Sequence, residues 1–131
     1  MRKPDWENEL NKYLNTLNKK VFQFGKYDCC IFVADAVLVI TGVDHMAEYR
    51  DKYTTLDEGN SLLQTVGKRS LYRTLTDKFG KAQKGVYGKK GDVAYHEDCC
   101  GLVIGRYAMF IGEKGQVIIP IKSVQRIFKV I

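Results

Sequence analysis

Apolar residues in the N-terminal half of the chain recur at helical spacing. Trp6, Leu10, Tyr13, Leu14 and Leu17 fall on one face after Pro4, with Asp5 at the capping position and Lys19-Lys20 suited to the negative end of a helix dipole. This spacing predicts a first helix over residues 6 to 19. Phe22 and Phe24 then alternate with polar residues, and Gly25 supplies a turn. Next, every residue from Ile31 to Ile40 except Asp35 is apolar, which predicts a helix that starts at Cys29, is wrapped on all sides, and ends at Gly42 in the left-handed cap position. Thr55-Leu56-Asp57-Glu58 matches a capping box and opens a helix through Leu62, Leu63 and Val66 that stops at Gly67. A fourth helix is predicted from Leu71 to Phe79, capped by Ser70 and ended by Gly80.

From Lys81 onwards glycines at 85, 88 and 91 break the helical period, and short β-rich runs follow. They are Val93 to Tyr95, Leu102 to Ile111, Val117 to Ile121 and Ile127 to Ile131, with Gly112-Glu113-Lys114-Gly115 as a hairpin turn. Helices first and antiparallel strands second predict an α+β fold, with N-terminal helices packed on a small C-terminal sheet. A length of 131 residues with 45% hydrophobic content accommodates one core, so residues 1–131 are read as a single domain. There are no repeats and no low-complexity tract.

Charge and cysteine usage narrow the functional classes. The net charge is +6, and Lys68, Arg69, Arg73, Lys78, Lys81, Lys84, Lys89 and Lys90 gather within one segment against Asp77. Such a segment suits nucleic acid, an anionic polymer or an acidic partner, although a solvated helix face and loop is the simpler reading. No helix-turn-helix, stacking platform or finger spacing accompanies it, so nucleic-acid binding ranks last. The N-terminus leads into a charged amphipathic segment and not an apolar leader, and the longest apolar run is too short to span a bilayer; no secretory signal and no membrane insertion are expected. The four cysteines form two adjacent pairs, Cys29-Cys30 and Cys99-Cys100, unlike the dispersed framework of a disulfide-stapled domain, so reduced thiols are expected.

The stretch Phe24-Gly25-Lys26-Tyr27-Asp28-Cys29-Cys30 carries the most chemical information. Asp28 stands as helix cap and Cys29 at the first helical position, where free N–H groups and the dipole favour thiolate, while the Asp28 charge opposes it. The Asp-Cys pair at the start of a buried helix, Gly91-Asp92-Val93 opening a strand, and Gly101-Leu102-Val103-Ile104-Gly105 in the next strand together resemble the NlpC-type cell-wall cysteine peptidases, a compact papain-like fold, across Phe22 to Ile131. Phe24-Gly25-x-x-Asp28-Cys29, Thr41-Gly42-Val43-Asp44 and the terminal Gly115, Pro120 and Val130 segment are similar to small phage and prophage tail-region proteins of that superfamily.

The resemblance implies that Cys29 is the nucleophile, with a histidine on the facing strand as its base. That histidine would lie two residues before the strand glycine, where this chain has Cys99. His96, three residues earlier, is the remaining candidate base. His45 follows the buried helix, about 24 Å from Cys29 at about 1.5 Å rise per residue, and reads as a surface turn residue. Tyr27 and Asp28 are expected beside the cleft, Asp92 is expected to cap a turn, and Cys30 and Cys100 are read as core residues. With Cys99 facing Cys29, the two thiols leave three outcomes open: a reversible disulfide, a zinc site, or plain buried thiols. Adjacent cysteines on one element point in different directions and the usual C-x₂₋₄-C chelate is missing, so no metal and no cofactor are expected.

Two functions follow. In the first, the protein is a degenerate or atypical NlpC-like relative serving as a phage tail-tip or tail-assembly component, made in the host cytoplasm and carried in the virion tail, with other tail proteins as partners. In the alternative it is an active cysteine endopeptidase on peptidoglycan cross-links, with Cys29 as nucleophile and His96 as base.

Overall fold

The computed structural model describes residues 1–131 and is an α+β fold. Four helices, α1 (Trp6–Leu14), α2 (Cys29–Thr41), α3 (Leu56–Thr65) and α4 (Leu71–Phe79), precede a six-stranded sheet. Its strands are β1 (Gln83–Lys84), β2 (Val93–His96), β3 (Cys99–Val103), β4 (Tyr107–Gly112), β5 (Gly115–Pro120) and β6 (Arg126–Phe128). They run in the order β1-β6-β2-β3-β4-β5, and every neighbouring pair is antiparallel. No helix is long and apolar enough to cross a membrane.

The sheet has two unequal apolar faces. Val93, Cys100, Leu102, Met109, Ile111 and Phe128 meet α1, α2 and α4 in the main core, to which α2 contributes Phe32, Val33, Ala36, Val37 and Ile40. The opposite face carries a smaller cluster of Ala94, Val103, Ala108, Phe110, Val124 and Ile127. Strand alternation makes this division, because successive side chains leave a strand on opposite faces.

The segment after α2 turns back along that helix. Arg50 fixes it, reaching Asp35 at 2.7 Å and Asp44 at 2.9 Å, so the one charged residue within the apolar stretch of α2 is paired. Tyr49 and Tyr53 are buried as a result, and Tyr53 arrives at the N-terminus of α2.

Several element boundaries depart from the sequence pattern. The first helix stops at Leu14, and Leu17–Lys19 forms a separate 3₁₀ turn that still buries Leu17. Thr16 donates its hydroxyl to the Tyr13 carbonyl at 2.7 Å, competing with the helical bonds that would have continued α1. The run from Leu102 to Ile111 is a hairpin and not one strand, because Gly105 turns the chain with φ +134° between β3 and β4. The last strand ends at Phe128, since the Val130 N–H donates to the Asp92 carboxylate at 3.2 Å. Asp5 precedes α1 but makes no side-chain bond to its backbone; its carboxylate accepts from the Asn8 amide instead. The caps at Asp28, Thr55 and Ser70 accept from the backbone N–H three residues on, as their spacing predicts.

Asp92 is 1% exposed and does more than cap a turn. It accepts from the Lys89 N–H at 2.9 Å and pairs with Arg2 at 3.1 Å and Lys129 at 2.9 Å. Arg2 also donates to the carbonyls of Val130 and Lys90, both at 2.9 Å, and lies over the Trp6 ring. Both ends of the chain are thereby tied to the entry of β2. The basic segment around it spreads over α4, β1 and the following turn, and Lys90 is engaged by Glu7 at 3.1 Å and Asn11 at 2.9 Å.

Candidate functional site: a thiol-lined cleft

The segment ahead of α2 explains why Phe24-Gly25-x-x-Asp28-Cys29 has its spacing. Gln23 and Tyr27 pair across a tight turn, in which Gly25 takes φ +83°. A Cβ at Gly25 would lie 2.4 Å from the Tyr53 carbonyl oxygen, so only glycine fits. The Gly25 N–H donates to the Asp28 carboxylate at 2.9 Å, and the same carboxylate accepts from the Ile31 N–H at 2.9 Å and from the Tyr53 hydroxyl. Asp28 thus fixes the turn, the helix start and the returning segment together. Burial and the adjacent Asp28 charge push the Tyr53 hydroxyl pKa well up, keeping it a neutral donor.

Cys29, at the first position of α2, opens onto a cleft of about 270 Å³. Phe22, Phe24, Met46, Leu63 and Leu71 form apolar walls, and Asp28, Cys30, Asp98 and Cys99 reach the same space. Glu97 and Asp98 both have positive φ in the two-residue turn joining β2 to β3, and this turn sets Cys99 at the mouth.

The thiols are gathered more closely than their positions in the sequence suggest. Cys29 and Cys30 Sγ lie 3.9 Å apart, and Cys100 Sγ is 3.8 Å from Cys30 Sγ and 3.7 Å from the Cys29 carbonyl oxygen. All four cysteines are free. Cys100 is buried among core residues, as expected; Cys30 is half-buried and also lines the cleft. The expectation that neighbouring cysteines diverge does not hold at Cys29 and Cys30, which stand together in the first turn of α2.

The electrostatics separate these thiols. Cys100 lowers the pKa of Cys29, but Cys30, Cys99 and burial outweigh it, and the Cys29 thiol is held above its ordinary range. Cys100 holds Cys30 up and Cys29 holds Cys100 up, with burial adding to both. Cys99 moves the other way, lowered to about 7 by its interaction with Cys29 against the opposing effects of burial, Asp98 and Glu97. The more exposed thiol at the mouth therefore ionises first.

Of the residues picked out from sequence, Cys29, Asp28 and Cys99 share the cleft, while His96 and Tyr27 do not line it. His96 pairs with Cys99 in the β2–β3 ladder, its ring 6.4 Å from that of Phe110. Its Nδ1 is buried without a partner and its Nε2 is 3.9 Å from the Glu97 carboxylate. Tyr27 is buried beside a neighbouring depression lined by Lys20 and the β4–β5 turn. His45 packs on Phe79 at 4.8 Å, where burial and then Lys78 lower its pKa. Tyr53 went unread because it acts on Asp28 from 25 residues away and no local pattern marks it. The cysteine doublets did carry a signal: in β3, one member of an adjacent pair must face the helices.

A family model described as a domain of unknown function, DUF6950, matches residues 1–130. No curated protein and no solved structure matches the chain.

Proposed function

The chain belongs to the DUF6950 family, and we propose that it is a non-hydrolytic relative of the NlpC-type cysteine peptidases, on a papain-like fold, that serves as a phage tail-tip or tail-assembly component. The order of helices and antiparallel strands and the Asp28-Cys29 helix start are compatible with that descent. One observation carries the non-hydrolytic part: the thiol of Cys99, and not an imidazole, lines the cleft with Cys29, while His96, the cross-strand partner of Cys99, does not line it. Amide hydrolysis by a thiol needs a base to activate the nucleophile and an acid to protonate the leaving amine. Positioned acid–base groups contribute roughly 10²–10⁴-fold. A Cys29 thiol held above its ordinary pKa compounds the loss.

The endopeptidase alternative draws on Cys29 lining an accessible cleft at a helix N-terminus. It lacks a histidine in the cleft to serve as base and acid. In place of catalysis, the apolar walls around Met46, Leu63 and Leu71 suit retention of a partner segment.

Two measurements test this. Reduced protein incubated with cross-linked peptidoglycan is expected to release no more new amino groups than its Cys29→Ala variant; release that depends on Cys29 would overturn the non-hydrolytic reading. Mass spectrometry of gradient-purified tails from a phage encoding the protein is expected to find it in fixed ratio to the other tail proteins. Its absence from tails, together with normal tails when its gene is deleted, would overturn the tail role.

A further inference from the structure

The three sulfurs of Cys29, Cys30 and Cys100 lie within 4.8 Å of one another, and the two closest separations are 3.8 and 3.9 Å. In a tetrahedral thiolate site with metal–sulfur bonds of about 2.3 Å, ligand sulfurs are separated by about 3.8 Å. We propose that Cys29, Cys30 and Cys100 form a binding site for a thiophilic d¹⁰ ion, zinc(II) or copper(I), with the fourth position open to the cleft that Cys99 also lines.

The assembly of this cluster is a tertiary event. The first turn of α2 presents two thiols side by side, and β3 delivers Cys100 from the facing sheet. The chelate is therefore split between two elements 70 residues apart, each contributing a doublet, which is why a search for C-x₂₋₄-C spacing passes over it. Cys100 belongs to the helix-side core and Cys99 lines the cleft together with Cys29. Soft sulfur donors select zinc and copper(I) over the hard cations that prefer oxygen.

The surroundings also suit a metal thiolate. The first N–H groups of an α-helix lack intrahelical acceptors, and here they lie at the two residues that supply thiolates. The positive end of the α2 dipole offsets part of the negative charge that bound thiolates bring. Asp28 opposes this, but its carboxylate is already engaged by three donors. Binding is balanced by proton release: each thiol gives up its proton as its sulfur bonds to the ion, and no redox change is involved. The proposal goes beyond the function proposed above and does not depend on it, since a thiolate cluster would exist in either a tail component or a peptidase relative.

The test is anaerobic titration of the reduced, full-length protein with zinc(II) and, separately, copper(I), each in competition with a chromophoric chelator. One-to-one binding of either ion is expected, with about three or more protons released per ion in weakly buffered solution. Cobalt(II), used as a probe for the zinc site, is expected to show sulfur-to-metal charge transfer from three or four thiolates and visible bands of tetrahedral intensity. Cys30→Ser and Cys100→Ser are expected to weaken binding by more than the ~10–100-fold typical of changes outside the ligand set. Failure of both ions to compete, charge transfer from fewer than three thiolates, or unchanged affinity in both serine variants would overturn the site. Should the core variants not fold, the proton count on the unmodified protein and the partly exposed Cys29→Ser variant decide the matter by the same criteria. Peptidoglycan assays play no part in it, so failure here is separate from failure of the non-hydrolytic reading.

Discussion

The Tyr53 hydroxyl donates to the Asp28 carboxylate at 2.5 Å, joining the segment that returns from the far end of α2 to the cap of that same helix. This bond closes one side of the thiol cleft, because both residues line it. The local helix start and the long-range fold therefore share one carboxylate.

Asp28→Ala removes that carboxylate and leaves three donors without their partner. A lost N-cap costs about 0.5–2 kcal/mol, and a buried donor left unsatisfied about 1–3 kcal/mol. A combined loss of roughly 2–4 kcal/mol is expected from urea unfolding of the reduced protein, the terms overlapping within one network. Tyr53→Phe leaves both backbone bonds to Asp28 in place and is expected to cost about 1 kcal/mol. Equal costs for the two variants would show that the shared carboxylate has been misjudged.

Asp92 anchors both ends of the chain through Arg2 and Lys129. Removing one partner of a buried ion pair typically costs about 3–5 kcal/mol, and Asp92→Ala is expected to reach that range by chemical denaturation. Arg2→Ala removes a partly exposed member, so a smaller loss is expected. An Asp92→Ala variant within 1 kcal/mol of the parent would contradict the anchoring role.

Gly101 has no room for a side chain. A Cβ there would lie 2.4 Å from the Met109 carbonyl oxygen and 2.7 Å from the Phe110 ring, and the carbonyl belongs to the neighbouring strand. Gly101→Ala is expected to cost at least the roughly 1–3 kcal/mol of overpacking, because β3 and β4 must separate to admit it. Thermal melting compared with Gly112→Ala, where the nearest atom is 3.6 Å away, isolates the effect.

Thiol reactivity should rise with pH in a fixed order. Thiolate is the nucleophile, so alkylation of Cys99 by iodoacetamide is expected to increase through about pH 7, ahead of Cys29, which remains slow there. Cys29→Ser removes the interaction that lowers Cys99 and should shift its profile to higher pH. His96→Ala should leave the Cys29 profile unchanged, since His96 does not line the cleft and does not contribute to the Cys29 shift. Peptide mass spectrometry resolves the positions; a Cys29 profile that moves on His96→Ala would restore the histidine as a base.

The sequence by itself determined the elements whose causes are local. Asp28, Thr55 and Ser70 cap their helices through the N–H groups three residues on, Gly42 ends α2 in the left-handed conformation, and Gly112 to Gly115 make the β4–β5 turn. Each depends on side chain and backbone within one turn of chain, so residue type and spacing are sufficient. The order of helices before antiparallel strands was legible for the same reason, and with it the α+β class. Which side chains meet was decided only by the tertiary structure. The β2–β3 register put Cys100 beside Tyr95 on the helix side, a choice made by packing the sheet against α2. The return of residues 42–55 along α2 brought Tyr53 to Asp28, and Asp92 gathered Arg2 and Lys129 from the two ends of the chain. These contacts span 25 to 90 positions, and they form only where packing brings the partners together, which no local pattern encodes.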